Sequence, residues 1–193
     1  MGNFYTNITV VGGDSARIAS WLDGAHRAAF VGAWDGHTVV FDRDGEAQDG
    51  SHTTLAAELS AVLDSPAIAV LNHDDDVLML DVFDAGTLRG SYNSCPDYFG
   101  DDDDDDESGS PSWSLDLDPA AIVALVGRGD AGALATVMGG DELFAIDLHA
   151  AIVEELGLPD AAVGLGYRYL DQGDVPESPA TGGLRHVGGP DRT

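Results

Sequence analysis

Six consecutive aspartates interrupt this chain near its middle. They are Asp101, Asp102, Asp103, Asp104, Asp105 and Asp106. Adjacent carboxylates repel one another and bury no apolar surface, so no helix or strand of a folded core is expected to contain them. Residues 97–112 are therefore predicted to form a flexible acidic loop, and the folded parts lie before and after it.

Residues 1–96 show the alternating patterns of an α+β domain. Short β-rich runs and two helix patterns follow in the order β-α-β-β-α-β-β-β, and the Asp35-Gly36 pair is typical of a hairpin turn. This βαββαβββ order is related to the ferredoxin-like folds. The predicted fold class is α+β, with a mostly antiparallel sheet whose helices pack on one face.

Residues 113–171 are predicted to form a small helical part that packs on this core within the same domain. Asp118 followed by Pro119 is typical of the start of a helix. Residues 162–170 fit either a further strand or an irregular arm. From residue 172 onward Pro, Gly, Ser and Thr dominate without periodicity, which predicts a disordered tail over residues 172–193.

The charge balance excludes several classes of function. Eight arginines and no lysine stand against 35 acidic residues, which gives a formal net charge of −27. Direct binding to nucleic acid or to an anionic membrane is not expected, because both require basic residues. The single cysteine, Cys95, and the lack of a signal pattern or long apolar run predict a cytoplasmic location.

Four segments resemble those of a group of uncharacterised bacterial proteins. They are residues 2–7 (GNFYTN), 73–78 (HDDDVL), 92–99 (YNSCPDYF) and 163–170 (VGLGYRYL). The resemblance covers most of residues 1–176. It implies one cytoplasmic bacterial domain and carries no established activity with it.

One polar cluster is a candidate metal site. His73, Asp74, Asp75 and Asp76 place an imidazole beside three carboxylates, and both are ligands of divalent cations. Neighbouring side chains on a strand point to opposite sides, so at most two of the four are expected to converge locally. The alternative is a solvated turn between strands. The aspartate run is expected to hold Ca²⁺ or Mg²⁺ only loosely, and no cofactor is predicted.

No catalytic residue is predicted. Cys95 lies just before the acidic loop, and negative charge disfavours the thiolate that a nucleophile requires. Residues 12–15 (GGDS) lie between a strand and a helix, where phosphates bind in other proteins. The chain has no lysine, however, and a P-loop requires one.

The interpretation that we adopt explains the charge as a surface for a basic protein partner. Opposite charges accelerate encounter and suppress wrong partners, as expected of inhibitors and of immunity proteins that neutralise nucleases. The candidate binding residues are the six aspartates together with Tyr98 and Phe99. The sequence thus predicts a non-enzymatic interaction or immunity-like module.

Two alternatives stay open. A strongly acidic chain is also typical of proteins kept soluble at high salt, in which acids are spread evenly and serve no partner. The chain is otherwise an enzyme, or a binder of a small ligand or metal, that uses the loops around His73 and Cys95. A single acidic face with exposed aromatic rings would favour the partner, whereas acid on all faces and stability that rises with NaCl would favour high salt.

Overall fold

A computed structural model describes residues 2–96, 98, 117–140 and 144–188. The strands of this part are β1 (Tyr5–Val10), β2 (Ala29–Trp34), β3 (His37–Asp42), β4 (Ala67–His73), β5 (Val77–Asp84), β6 (Thr87–Asn93) and β7 (Thr181–Val187). The helices are α1 (Ser15–Gly24), α2 (Ser51–Leu63), α3 (Pro119–Val126), α4 (Ala131–Met138), α5 (Ala145–Leu156) and α6 (Tyr167–Gln172). Two short 3-10 helices span Asp44–Ala47 and Asp160–Ala162.

The strands form one antiparallel sheet in the order β6-β5-β4-β1-β3-β2-β7. The central strand β1 pairs with β3 and β4, so that Ile8 lies between Val40 and Ala69. Strands β1 and β2 run parallel, are joined through α1 and have β3 between them, which is a split β-α-β arrangement. The predicted α+β class and its βαββαβββ order are confirmed.

Helices α1 and α2 cover one face of the sheet. Their contact with β1, β2, β3 and β4 is mainly aliphatic, and Ile8, Val31 and Val40 of the sheet pack in one cluster with Ile18 and Leu59 of the helices. Apolar burial of this kind is the main favourable contribution to folding. Over residues 1–96 the helices thus lie on one face, as the sequence predicts.

The opposite face is covered by the C-terminal helical part. Ile68, Val70 and Leu80 of the sheet pack with Ile122 of α3 and Ile152 of α5. On the same face, in the half of the sheet formed by β3 and β2, the 3-10 helix at Asp160–Ala162 and α6 cover these two strands. The sheet therefore lies between two layers, and each layer comes from a different half of the chain.

The tail requires a correction. Residues 172–193 were expected to be disordered, but residues 181–187 form β7 and pair antiparallel with β2, with His186 opposite Phe30. The ring of His186 lies 4.6 Å from that of Phe30, and its Nε2 lies 3.0 Å from the Tyr167 hydroxyl. These contacts are distant in sequence, and they hold in place a strand whose own composition disfavours one.

Of two other expectations, one is wrong and one lies mostly outside the described residues. Residues 162–170 form neither a strand nor an irregular arm, because they contain the end of a 3-10 helix and most of α6. Of the predicted acidic loop over residues 97–112, only Tyr98 belongs to the described part. Among the described residues, no helix is both long and apolar enough to cross a membrane.

Candidate functional site

The turn between β4 and β5 holds the candidate metal residues. Asp74 and Asp75 have φ angles of 55° and 60°, a left-handed conformation that aspartate tolerates better than most residues. The Gly2 amide donates to Asp74 Oδ1 over 3.0 Å, and the Asp75 amide donates to the carbonyl of Asn3. A Cβ atom at Gly2 would lie 2.0 Å from the Asp74 carbonyl oxygen, so only glycine fits there.

The three carboxylates of this turn make separate contacts. Asp74 accepts from Gly2, Asp75 Oδ1 accepts from the Asn72 side chain over 3.3 Å, and Asp76 Oδ2 accepts from the Tyr98 hydroxyl over 3.2 Å. His73 contacts Gln48 through Nδ1, with 2.6 Å between Nδ1 and Oε1. Across residues 2–96, 98, 117–140 and 144–188, no three His, Cys, Asp or Glu side chains are grouped to hold a metal. The structure thus uses these carboxylates to shape the turn.

Two exposed aromatic rings flank this turn. Tyr98 is 40% exposed, and Phe144, which immediately precedes α5, is 54% exposed. Phe144 and Asp76 line the same polar hollow of about 270 Å³, and the Ala145 amide donates to the Asp75 carbonyl over 2.7 Å. We call Asp74, Asp75, Asp76, Tyr98 and Phe144 the acidic end of the molecule.

Cys95 lies in the turn that leads to Tyr98. Its amide donates to Asn93 Oδ1 over 2.9 Å, and its carbonyl accepts from the Tyr98 amide over 3.1 Å. The half-buried thiol is not joined in a disulfide. These contacts give Cys95 a part in positioning Tyr98 through its backbone.

The aspartate run begins beside the acidic end. Asp101 follows Tyr98 by three residues, so connectivity alone keeps their Cα atoms within about 11 Å. The described chain resumes at Leu117, whose amide donates to the Ser91 carbonyl on β6 over 3.0 Å. Phe99 and Asp101–Asp106 themselves lie outside the described residues. The described residues on either side of this segment are thus Tyr98, which contacts Asp76, and Leu117, which contacts Ser91.

Acidic residues occur along the whole chain and are most concentrated in this segment. Residues 1–50, 51–96 and 145–178 each contain seven acids, whereas residues 97–118 contain ten and no basic residue. Ion pairs among the described residues join Arg27 to Asp42, Arg43 to Asp44 and Arg89 to Asp84. The presence of acid in every range matches the high-salt interpretation, and the segment 97–118 is a local concentration of acid that this interpretation does not explain.

A pair of buried polar residues joins α5 to the central strand. The hydroxyl of Tyr5 on β1 lies 2.8 Å from Nδ1 of His149, and both side chains are buried. Burial lowers the pKa of His149 to about 3, so the imidazole is neutral, and its Nδ1 shares one hydrogen bond with the Tyr5 hydroxyl. Burial also raises the pKa of Tyr5. Both groups are enclosed, and their role is to position α5.

A second buried polar group lies under the start of α2. Arg27 pairs with Asp42 over 2.7 Å, and Asp42 Oδ2 also accepts from the Gly45 amide over 3.0 Å. Thr6 Oγ1 and His52 Nδ1 are buried nearby without a hydrogen-bond partner. Burial lowers the pKa of His52, which keeps its ring neutral. This group fixes the 3-10 helix at Asp44–Ala47 against the sheet.

The acidic end combines segments that are distant in sequence. Tyr98 and Asp76 were both singled out from the sequence, but nothing in the sequence linked Phe144 to them, because it follows 46 residues after Tyr98. The chain matches no family model, no curated protein and no solved structure. The geometry of the acidic end is therefore the observation that bears on function.

Proposed function

We propose that this protein is a non-enzymatic module that binds a basic protein partner through its acidic end. The observation that carries the proposal is the pair of exposed rings, Tyr98 and Phe144, beside three aspartates and at the origin of the aspartate run. Aromatic rings provide contact area, and carboxylates attract and orient a basic surface. Inhibition of a basic enzyme, as by a nuclease immunity protein, is the class of function that fits this combination.

Local density of charge matters more here than the net charge. At physiological ionic strength the field of an exposed charge is screened over about 8 Å. Acids that lie far from the contact therefore add little to the attraction of a bound partner. The ten acids of residues 97–118 are close enough in sequence to act together.

The first test is a capture experiment followed by reconstitution. The tagged protein is incubated with lysate of its native host at low salt, eluted with stepwise NaCl, and the eluate is identified by mass spectrometry. The expected result is one basic protein that, once purified, forms a stoichiometric complex weakened about tenfold or more by added salt. A diffuse set of proteins lost at modest salt would contradict the proposal.

Two variants of equal net charge locate the contact. In the first, Asp101–Asp106 are replaced by alternating Ser and Gly. In the second, six exposed acids elsewhere become Asn or Gln, and these are Asp23, Asp35, Asp44, Asp49, Glu58 and Asp64. We expect the first variant to bind the purified partner about tenfold more weakly. The affinity of the second variant for the partner should change less than threefold. Equal weakening by both variants would mean that net charge, and not this segment, governs binding.

The high-salt interpretation makes the opposite prediction for stability. If the acids serve only to keep the chain soluble in brine, the free energy of unfolding should rise steeply from low to molar NaCl while no partner is found. We expect instead a folded, monodisperse protein at about 0.1 M NaCl. Circular dichroism and analytical ultracentrifugation over a NaCl series measure both properties.

A further inference from the structure

A groove of about 630 Å³ runs along the outer side of the C-terminal helical part. One wall is α5, and the facing wall is formed by residues 158–165. Val175 and Glu177, in the segment between α6 and β7, border its open side. Its volume lies in the range of sites that hold a small ligand or the side chains of a peptide.

The walls of the groove are apolar. Ile146, Ala150 and Val153 of α5 lie on one helix face, since their spacing corresponds to one and two helical turns. Leu158 and Leu165 are among the apolar residues of the opposite wall. Val175 is 78% exposed at the edge, so apolar surface continues to the mouth of the groove.

The rim of the groove is acidic. Glu154, Asp160 and Glu177 are its charged residues, and none of the described side chains that line it is basic or a neutral hydrogen-bond donor. Asp160 accepts from the Ser178 hydroxyl over 2.8 Å, which fixes one of these carboxylates. The groove therefore attracts cations and repels anionic ligands, while its walls accept an apolar group.

Both walls are held in position by the central strand. Asn7 Nδ2 donates to the carbonyls of Ala162 and Leu165, over 2.6 Å and 2.9 Å. The contact of Tyr5 with His149 fixes α5 on the other side. Tyr5 and Asn7, on the same face of β1, thus hold the two walls of the groove. The groove is formed before any ligand binds.

We propose that this groove binds a segment of the basic partner in which an apolar side chain is flanked by arginine or lysine. The inference rests on the proposed function, since it names the part of the partner that enters the groove. The apolar side chain contacts Ile146, Val153 and Leu158, and the flanking cations face Glu154, Asp160 and Glu177. Partner binding then uses long-range attraction at the acidic end and apolar burial in the groove.

The test uses three amidated synthetic peptides and the full chain. The first has a central leucine between three arginines on each side, the second has glycine in place of leucine, and the third has glutamines in place of the arginines. Full burial of one leucine corresponds to at least about tenfold in affinity. We therefore expect the first peptide to bind about tenfold tighter than either of the others by fluorescence anisotropy.

Chemical shifts and matched variants locate the binding. In amide NMR spectra, the first peptide should shift resonances of residues 146–165. Ala150→Leu fills the groove and should reduce affinity about tenfold, whereas Ala124→Leu places the same change on the exposed side of α3 and should leave it unchanged. Glu154→Gln should weaken binding a few-fold, and Glu58→Gln on α2 serves as its control.

Three results would overturn the inference. Equal affinity for the leucine and glycine peptides would show that no apolar group enters the groove, and shifts confined to Asp74–Asp76 and Tyr98 would place binding at the acidic end. Tight binding of the glutamine peptide would remove the requirement for basic flanks. Each of these outcomes leaves the proposed function standing, because that function is decided by the purified partner and by replacement of Asp101–Asp106.

Discussion

Both layers bury aliphatic side chains against the sheet, but their contacts with β1 differ. The aliphatic layer, α1 and α2, packs in one cluster with Ile8 and Val10 of β1. The buried polar residues of α2 are His52 near its start and Ser60 near its end. The C-terminal layer also buries aliphatic side chains, but it contacts the first half of β1 through hydrogen bonds of Tyr5 and Asn7. Apolar contacts tolerate small shifts, whereas hydrogen bonds require set distances and angles.

The two kinds of contact have different effects: apolar burial stabilises the fold, whereas hydrogen bonds fix the position of one element against another. The aliphatic layer provides burial, which is roughly proportional to area and insensitive to direction. The polar contacts of Tyr5 and Asn7 provide less net free energy, because folding exchanges them for hydrogen bonds to water. What they supply is the position of α5 relative to residues 158–165, and hence the shape of the groove between them.

The largest effect is expected from truncation in the aliphatic layer. Leu59 of α2 is fully buried, and Leu59→Ala should lower the free energy of unfolding by about 3 kcal/mol through lost burial and a cavity. Urea denaturation measures the change. Val62→Ala on the same helix, at a side chain that is 41% exposed, should change it by less than about 0.5 kcal/mol. A small loss from Leu59→Ala would contradict the role given to this layer.

A smaller loss with a local signature is expected from Asn7. Asn7→Leu keeps a similar volume and adds no charge but removes the donor to Ala162 and Leu165, and should cost about 2 kcal/mol because two carbonyls lose their partner. Hydrogen exchange should accelerate at residues 160–170 before it does so at α2. Uniform acceleration over the whole chain would show that Asn7 supports general stability and not the placement of this segment.

Acid should weaken the C-terminal layer through His149. Its pKa is about 3 in the folded protein and about 6.5 when unfolded, so between these values the unfolded state binds more protons. Stability should therefore fall as the pH drops from about 6.5 toward 3, by up to about 1.4 kcal/mol per pH unit from this group.

His149→Gln removes the titrating group and keeps an acceptor for Tyr5. We expect the variant to lose less stability than the wild type over this pH range in urea titrations at pH 7, 6, 5 and 4. Tyr5→Phe retains the buried imidazole and should retain the pH dependence. Parallel curves for the wild type and His149→Gln would contradict the assignment.

The smallest effects are expected at helix starts, one in each layer. Asp14 accepts from the Ala16 amide over 2.9 Å at the start of α1, and Asp130 accepts from the Ala133 amide over 2.9 Å at the start of α4. Replacement of either by Ala should cost about 1 kcal/mol, or roughly 2–4 °C in melting temperature. Asp14→Asn and Asp130→Asn should be nearly neutral. A much larger fall in melting temperature for Asp130→Ala than for Asp14→Ala would mean that the C-terminal layer unfolds independently.

The order of elements was predictable because its signals are local. Asp35-Gly36 makes the β2–β3 turn, and Asp118 caps α3 with Pro119 in its first turn. Strand β7 gave no such signal, since its glycines and the prolines before it are typical of a loop. Its conformation depends on pairing with β2, which lies about 150 residues earlier in the chain.

The candidate sites likewise depend on contacts between residues that are distant in sequence. Alternation along a strand predicted that at most two of the four polar residues at His73–Asp76 converge, and backbone geometry directs the three carboxylates to Gly2, Asn72 and Tyr98. The groove could not be predicted, because its lining comes from α5, the segment that follows it and the residues before β7. Ile146, Ala150 and Val153 have the spacing of an ordinary core-facing stripe, and only the packed structure shows that they line a groove.

The central place of β1 has a consequence for synthesis of the chain. Its neighbours β3 and β4 emerge from the ribosome early, yet Leu165, which contacts Asn7 on the other face, follows about 70 residues after the end of β6. At 5–20 residues per second this interval lasts roughly 4–14 s. Within that time the nascent sheet lacks β7, and Ile68, Val70 and Leu80 on its second face keep their apolar surface in water until α3 and then α5 have been synthesised.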